Sequence, residues 1–393
     1  MKRLYIFLGS VSIVAVIIIV VAVGFIIQRQ TPNQVVNTIT PTPTSASTSV
    51  PDTFPPGDMP RVEGAQIVDT SGHPLILRGG QIQSPFNFIS GWQAGKSPLT
   101  TLNTTTFHVM AHDWKMNALR LPISNWIYDK DPVKYMADLD RVVREANAAG
   151  LYVVVDLHDN VKSGSPYPLA VPKPEDIAFW KIIAAHFKDD PMIMFDVFNE
   201  PQVRGWQAWL HGGGTIGNGT PIVGFQNLVD TVRSVGAKQI IVVEPGAAGG
   251  DTGETGSWAS VGNNLINDPN IIYSRHVYRD LSLPPDQQDA KWGSILNHHP
   301  IYYGEWAFLP NSTVPIQCSG VAHDQADAVV TNFLHYMASR RANWTAWSFT
   351  SPYLVQNTTT FTPTSLDVPW TCGDTSVTAG MGMIVKRYLT TGQ

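Results

Sequence analysis

Two glutamates stand at the ends of apolar runs, and their position makes them the first candidates for chemistry in this chain. Glu200 follows the run Met192–Phe198 and one asparagine, Asn199, and Pro201 comes next. Glu305 follows a similar segment, IYYG. A carboxylate beside buried apolar residues loses solvation, which is costly unless a partner or a reaction uses the charge. The two acids are therefore candidates for a pair that transfers a proton and attacks an electrophile.

The run before Glu200 has the length and the β-branched and aromatic content of a buried strand. Because a proline restricts the residue before it, Pro201 predicts an extended conformation for Glu200 and an end to the strand. Asp196 interrupts the run. We expect a structural hydrogen-bonding role for this acid, since a buried carboxylate needs partners.

Other polar and aromatic residues follow predicted strands in the same way. The strand-end residues are Arg120, His158, Asn199, Glu200, His276, Tyr278, Glu305 and Trp347. Taken alone, a strand-end histidine is usually a hydrogen-bonded structural group, an arginine an ion pair and a tryptophan part of the core. Their joint occurrence at corresponding strand ends indicates one pocket. Asp159 and Glu244 also follow strands, but we interpret them as structural or peripheral.

Short apolar segments alternate with helix-length segments from Arg61 to the end of the chain. The strands are predicted to begin near Leu75, Ala118, Tyr152, Ile193, Ile240, Ile271, Ile301 and Thr345. Eight such units predict an α/β fold, a (β/α)8 TIM barrel, in which the carboxyl ends of the strands form one site. The alternative is a doubly wound open sheet, which is disfavoured because no GxGxxG or P-loop follows any strand.

Two carboxylates that converge from different strands suit the hydrolysis of a glycosidic bond with retention. One carboxyl group protonates the leaving oxygen while the other attacks the anomeric carbon, at a separation of about 5 to 5.5 Å. A metal site of two histidines and two glutamates is conceivable, but the sequence has no HExxH motif or tight ligand cluster. We expect no metal and no cofactor.

From about Arg61 onward the chain resembles glycoside hydrolase family 5, a cellulase-like (β/α)8 family of retaining β-glycanases. The motifs that carry the resemblance are LILRGG, ALRLPI, VVVDLHD, FDVFNEP, HVY, YGEWA and AWSF. The Asn-Glu-Pro and Tyr-Gly-Glu-Trp motifs are the most specific, and they occur in the right order. One departure is Arg78-Gly79-Gly80, where the family commonly has Arg-Gly-Val or similar before an asparagine; Gln81 is a candidate substitute.

The resemblance implies that Glu200 is the acid/base and Glu305 the nucleophile. Asn199 would hold the sugar 2-hydroxyl, while Arg120 and Tyr278 would keep Glu305 ionised and oriented. We expect the charge of Glu305 to raise the pKa of Glu200, so that Glu200 begins the reaction protonated.

The remaining residues of the set would bind the sugar. The resemblance implies that His158 and His276 line the cleft and that Trp347 forms the floor of the subsite on the non-reducing side. Four loop tryptophans are further candidates for sugar platforms or for packing, and spacing alone does not separate the two roles. They are Trp92, Trp206, Trp209 and Trp258.

The implied activity is that of an endo-β-1,4-glucanase on extracellular polysaccharide. A β-mannanase, a xyloglucanase and a β-1,3-glucanase remain alternatives, because residues at the cleaved bond say little about neighbouring sugars. A non-catalytic carbohydrate-binding barrel is the alternative from another class; the presence of both Glu200 and Glu305 argues against it.

Composition sets limits on size and partners. The 393 residues are 43% hydrophobic, enough for a large core, and the net charge of -5 gives no indication of a nucleic-acid partner. We expect a polysaccharide or oligosaccharide as the partner, and a monomer.

The first sixty residues are predicted to hold the protein at a membrane. Leu4–Ile27 is an uncharged apolar run, long enough to span a bilayer, and Lys2 and Arg3 precede it. We expect a transmembrane signal anchor over residues 1–29, a disordered Thr/Pro/Ser-rich linker over 30–60 and the catalytic barrel over 61–393. The positive-inside tendency places the barrel outside the cell as part of a single-pass cell-membrane protein. The alternative is a signal peptide cleaved near residues 22–24, followed by secretion.

The chain has two cysteines, Cys318 and Cys372. They form no CxxC motif or His-Cys cluster, so a zinc or redox site is not indicated. An oxidising compartment would allow a disulfide between two late loops; two unrelated thiols are the alternative.

Overall fold

The computed structural model describes residues 59–83, 86, 101–158, 170–217, 219–250, 256–310, 318 and 320–392. The predicted anchor and nearly all of the linker lie outside these ranges, as do Trp92 and Asp159. Among the helices that the structure does describe, none combines the length and hydropathy required to cross a bilayer.

The strands of the described residues form a barrel and two small sheets. The strands are β1 (Arg61–Glu63), β2 (Gln66–Val68), β3 (Pro74–Leu75), β4 (Arg78–Gln81), β5 (Ala118–Ile123), β6 (Tyr152–Leu157), β7 (Ile193–Asp196), β8 (Gly212–Thr215), β9 (Pro221–Val223), β10 (Ile241–Val243), β11 (Ile271–Val277), β12 (Ile301–Trp306) and β13 (Asn343–Ala346). Strands β1 to β3 form an antiparallel sheet, and β8 pairs with β9. The other eight strands close in the order β4-β5-β6-β7-β10-β11-β12-β13, each parallel to its neighbours. The predicted (β/α)8 barrel is confirmed.

α-Helices connect most successive barrel strands, and the described residues between β10 and β11 form a short 3-10 helix over Gly246–Gly249. The α-helices are α1 (Thr104–His108), α2 (Asn125–Tyr128), α3 (Pro132–Ala148), α4 (Pro174–Phe187), α5 (Trp206–His211), α6 (Phe225–Ser234), α7 (Pro285–Trp292), α8 (Ile295–His298), α9 (Ala326–Ser339) and α10 (Gly382–Thr391). A π-helical turn over Val109–Asp113 continues α1. The longest helix, α3, begins after Asp131, whose side chain accepts a hydrogen bond from the Lys134 amide, and it is followed by Gly150 at φ +92°.

The first barrel strand begins later than the sequence predicted. The strand expected near Leu75 is in fact split: Pro74–Leu75 pairs with β2, and the barrel strand starts at Arg78. Two asparagine side chains hold the chain between the two sheets. Asn343 accepts a hydrogen bond from the Leu77 amide, and Asn117 accepts one from the Arg78 amide.

The inward faces of five barrel strands, β5, β6, β7, β10 and β11, change from apolar to polar along the strand. An apolar layer lies at the amino-terminal end and includes Ala118, Val154, Met194, Val242, Ile272 and Tyr302. Because side chains on one face of a strand recur every second residue, the next inward positions are polar. They carry Arg120, Asp156, Asp196, Glu244 and Ser274, all buried. The pleat therefore places a charged layer directly above the apolar one, at the end of the barrel where sites form.

A disulfide joins Cys318 to Cys372, across 54 residues of sequence, with the Cα atoms 5.6 Å apart. The structure thus contains the bridge that we considered from the sequence. It ties the segment after β12 to the segment before α10.

Candidate active site

Arg120, on β5, lies at the centre of the charged layer and is fully buried. Its Nη1 donates to Oε1 of Glu305 at 2.7 Å and to Oε1 of Gln81 at 2.6 Å. Its Nε and Nη2 donate to Oδ2 of Asp196 at 3.1 and 2.9 Å. Burial alone would lower the pKa of Arg120, but the surrounding carboxylates raise it well above its usual value. The guanidinium is therefore a fixed positive charge beneath the site.

The same Nη2 of Arg120 reaches three further groups. It donates to Oδ1 of Asn199 at 3.0 Å and to Oε1 of Glu244 at 3.1 Å, and it lies 3.1 Å from Oδ1 of Asp156. The expected structural role of Asp196 is supported by its two hydrogen bonds from Arg120. Burial, ahead of the charges of Glu244 and Asp156, raises the pKa of Asp196 well above its ordinary value.

Glu305 is held at both carboxylate oxygens. Arg120 donates to Oε1, and the Tyr278 hydroxyl donates to Oε2 at 2.6 Å. Glu305 is buried near the end of β12. Two donors on opposite oxygens fix the plane of the carboxylate and bind its charged form, which is what a nucleophile requires.

Glu200 has an unusual backbone conformation at the end of the segment that follows β7. Its φ is +44°, so the extended conformation predicted from Pro201 is wrong. Left-handed backbone is uncommon for a non-glycine residue and costs about 1 to 3 kcal/mol, which neighbouring contacts must offset. Here the Glu200 amide donates to Oε2 of Glu244 at 2.9 Å. The side chain stays 21% exposed, and its Oε1 lies 2.9 Å from Nδ1 of His276.

The two glutamates converge. One oxygen of Glu200, one of Glu305 and a ring nitrogen of His276 lie within 4.8 Å of one another. This closeness fits the separation of about 5 to 5.5 Å between the carboxyl groups of retaining enzymes, and not the separation of about 6.5 to 9.5 Å in inverting ones. Among the described residues, these same three side chains are close enough together that they could bind a metal ion. Protein partners already engage those atoms, so we assign no metal to them.

The electrostatics of Glu200 differ from the prediction. We expected Glu305 to raise the pKa of Glu200, and the structure gives the opposite direction. Burial raises the pKa of Glu200, but the hydrogen bond and charge of His276 outweigh burial and lower it. Burial likewise lowers the pKa of His276, yet Glu244 and Glu305 raise it well above its usual value. The two pKa shifts run in opposite directions, so they favour a proton on His276 over a proton on Glu200.

His158 and Asn199 lie beside this pair. Nδ1 of His158 is 2.7 Å from Oδ2 of Asp156, and its Nε2 is 3.5 Å from Nδ2 of Asn199. Burial lowers the pKa of His158, but the charge of Asp156 outweighs it and raises the pKa. Because Arg120 occupies Oδ1 of Asn199, the amide group Nδ2 is the end oriented for other partners.

Two backbone features make room for His276. The register between β11 and β12 shifts at Arg275/His276, and such bulges re-aim side chains beside many active sites. Gly304 faces the same space. A Cβ at Gly304 would lie 2.7 Å from Oγ of Ser274 and 3.0 Å from Nε2 of His276, so a larger residue there would displace the imidazole.

The candidate sugar-binding tryptophans that the structure describes are either fully buried or half-buried. Trp209 and Trp258 are fully buried and donate to the backbone carbonyls of Glu244 and Ser274, which makes them core residues. Trp206 is half-buried and stacks on Trp258, with the ring centroids 5.4 Å apart. Trp347 is half-buried beyond the end of β13, and a cis peptide bond joins it to Ser348.

The structure brings seven of the eight predicted residues into one contact network through side-chain hydrogen bonds and ion pairs, with Trp347 outside that network. Sequence reasoning missed Glu244, which contacts Glu200, Arg120 and His276. The signal was present: Glu244 directly follows β10 and precedes a proline, as Glu200 precedes Pro201.

Comparisons with known proteins agree with this geometry. Residues 68–352 match the model of the cellulase family, glycosyl hydrolase family 5. The cellulase/esterase CelE of Acetivibrio thermocellus is 28% identical over 264 residues, which cover 60% of this chain and 31% of that protein. Endoglucanase E-5 of Thermobifida fusca is 23% identical, covering 75% of this chain and 56% of that one. The chain thus spans from about a third to a little over half of the length of these relatives.

Solved structures share the fold. A β-glucanase from Saccharophagus degradans, in complex with cellotetraose, aligns with a TM-score of 0.63 at 19% identity and covers 87% of this chain and 97% of its own. The catalytic domain of Thermobifida fusca endoglucanase Cel5A aligns with a TM-score of 0.56 at 20% identity and covers 84% and 97%. The family match extends over most of the barrel and both glutamates, and the chain belongs to the cellulase family, glycosyl hydrolase family 5.

Proposed function

We propose that this protein is a retaining endo-β-1,4-glucanase that cleaves extracellular polysaccharide by double displacement. The observation that carries the proposal is the convergence of Glu200 and Glu305 within 4.8 Å, each with its own partners. Glu305 has two donors that bind an anion, and Glu200 lies 2.9 Å from a histidine nitrogen that can exchange a proton with it.

In the first step Glu305 attacks the anomeric carbon while Glu200, having taken the proton from His276, delivers it to the leaving oxygen. The bond to that oxygen breaks and a bond between the sugar and Glu305 forms. In the second step Glu200 accepts a proton from water, the hydroxide attacks the same carbon, and Glu305 leaves as a carboxylate. Arg120 and Tyr278 hold Glu305 in place throughout.

Asn199 is proposed to bind the sugar 2-hydroxyl. Its Oδ1 is fixed by Arg120, so Nδ2 can donate to that hydroxyl. Such a contact strengthens in the oxocarbenium-like transition state and contributes several kcal/mol in enzymes of this kind. Trp347 is half-buried, which leaves part of the indole available as the floor of the neighbouring subsite.

The choice of glucan rests on the names of similar proteins, several of which are endoglucanases. A β-mannanase, a xyloglucanase and a β-1,3-glucanase use the same catalytic pair, so they are the alternatives within the family. A carbohydrate-binding barrel without activity would have no need for a nucleophile held by two donors.

A panel of substrates tests this function. The purified full chain is incubated with carboxymethyl cellulose, mannan, xyloglucan and a β-1,3-glucan, and reducing ends and viscosity are measured together. We expect the fastest hydrolysis on the β-1,4-glucan, with viscosity falling before many reducing ends appear, because internal bonds are cut. Faster cleavage of another glycan would identify that glycan as the substrate instead. Activity on none of them would support the alternative of a non-catalytic carbohydrate-binding barrel.

We further propose that residues 1–29 anchor the protein as a single-pass cell-membrane protein, that residues 30–60 form the linker, and that the barrel lies outside the cell. The support is the uncharged run Leu4–Ile27 with Lys2 and Arg3 before it. We expect the protein in the membrane fraction with an intact amino terminus. A soluble secreted form that begins after residue 22 would show cleavage instead.

We also propose that the protein acts as a monomer.

A further inference from the structure

Glu244 occupies a position behind Glu200 that the proposed reaction does not yet use. It is only 2% exposed, and its Oε2 accepts a hydrogen bond from the Glu200 amide at 2.9 Å. Its Oε1 accepts from Nη2 of Arg120 at 3.1 Å and lies 2.9 Å from Nε2 of His276. The N–H of His276 does not point straight at this oxygen, so the contact is chiefly an ion-pair contact.

His276 therefore lies among three carboxylates. Its Nε2 is 2.9 Å from Glu244, and its Nδ1 is 2.9 Å from Glu200 and 3.6 Å from Oε2 of Glu305. That oxygen of Glu305 already accepts a hydrogen bond from Tyr278. Such a carboxylate–histidine–carboxylate series determines which ring nitrogen carries a proton, because a buried anion favours a proton on the nitrogen that faces it.

We propose that Glu244 is a positioning residue that keeps a proton on Nε2 of His276, so that Nδ1 exchanges one proton with Glu200. This inference rests on the proposed function of Glu200 as the acid/base. Glu244 acts at two points: it holds the backbone of Glu200 at positive φ, and it holds the imidazole that stores the catalytic proton.

The proton transfer from His276 to Glu200 conserves the protons of these two residues. With one proton to share, the Nδ1–H bond of His276 breaks as the O–H bond of Glu200 forms, and the imidazolium becomes a neutral imidazole with its remaining proton on Nε2. Glu200 then gives the proton to the leaving oxygen. Once the pair has lost its proton, Nε2 keeps its hydrogen, because it faces buried Glu244 at 2.9 Å. Nδ1 instead faces Glu200, which is 21% exposed, and an oxygen of Glu305 that already accepts a hydrogen bond from Tyr278.

Other charged and titratable groups also face this pair. Arg120 from β5, His158 after β6, Tyr278 after β11 and Glu305 from β12 interact with Glu200 or His276 directly. Asp156 and Asp196 interact instead with the neighbours of the pair, namely Arg120, His158 and Glu244. Among the groups that the structure describes here, Glu244 differs in being a carboxylate with contacts to both the Glu200 backbone and the His276 ring.

Glu244→Gln in the full chain tests the proposal through the pH dependence of kcat/KM on an aryl β-cellobioside. The alkaline limb reports loss of the proton shared by Glu200 and His276. A negative charge beside the pair raises its pKa, so removing that charge should move the limb to lower pH by about one to three pH units. An alkaline limb that stays in place would overturn the proposal.

Asp196→Asn is the matched control. Asp196 is an equally buried acid that bonds to Arg120 and not to His276. We expect its alkaline limb to stay at the wild-type position even if the rate falls, while Glu244→Asp, which keeps the charge, should bring the limb back toward wild type. If the alkaline limb shifted equally in Asp196→Asn and Glu244→Gln, the effect would be a general one of the charged network. That result would contradict a specific role for Glu244.

A measurement on the wild-type protein covers the case in which Glu244→Gln does not fold. In ¹⁵N-histidine-labelled full chain, the His276 signals are identified by their loss in His276→Asn. We expect Nε2 to stay protonated on both sides of the alkaline limb while Nδ1 loses its proton. The opposite tautomer would overturn the proposal. This measurement needs no turnover, so it separates failure of this inference from failure of the proposed glucanase activity.

Discussion

Glu305→Ala is expected to lower kcat/KM on an aryl β-cellobioside by at least about 10⁴-fold, because no covalent intermediate can form without the nucleophile. The side chain removed is the acceptor of both Arg120 and Tyr278. The cavity that remains lies beside a buried guanidinium and suits a small anion. Added azide should therefore attack from the side of the missing carboxylate and give an α-glycosyl azide, identified by NMR.

Glu175→Gln provides the control for this experiment. Glu175 lies exposed in the first turn of α4 and outside the site, so the variant should keep wild-type activity and give no azide product. Full activity in Glu305→Ala, or rescue by azide with a β product, would place the nucleophile elsewhere.

The architecture of the site follows from the alternation along the strands. The sequence predicted the eight barrel strands and placed Glu200, Glu305 and Arg120 at strand ends, because apolar runs and their ends are local features. The structure adds that inward positions change from apolar to polar two residues later on five of the eight barrel strands, β5, β6, β7, β10 and β11. Ala118 and Arg120 show this on β5, as do Val242 and Glu244 around β10.

The protonation of the site could not be predicted in the same way. Glu305 was expected to raise the pKa of Glu200, yet the direction depends on His276, whose own charge depends on Glu244. These contacts join β7, β10, β11 and β12, and they are set by distances of about one hydrogen bond. A sequence pattern names the carboxylates but does not give which of them share a histidine.

The backbone conformation at two places could not be predicted for a similar reason, since a contact between residues distant in sequence decides it. Pro201 favours extended geometry at Glu200, and this local preference is overridden where Oε2 of Glu244 holds the amide. The late start of β4 has a comparable cause, since the side chains of Asn117 and Asn343 fix the backbone before Arg78. In each case the deciding partner lies at least 39 residues away in sequence.

Glu200→Ala should show a loss that depends on the leaving group. Removing a general acid costs about 10² to 10⁴-fold for a substrate whose leaving oxygen needs a proton, such as a glucan. An aryl glycoside with an acidic phenol needs little protonation, so its first step should be slowed far less, and a glycosyl-enzyme on Glu305 should accumulate and appear by mass spectrometry. Azide needs no general base, so it should release this intermediate as a β-glycosyl azide. An equal loss on both substrates, with no trapped intermediate, would contradict the acid/base role of Glu200; opposite azide products from the two alanine variants would establish that Glu200 and Glu305 act on opposite faces of the sugar.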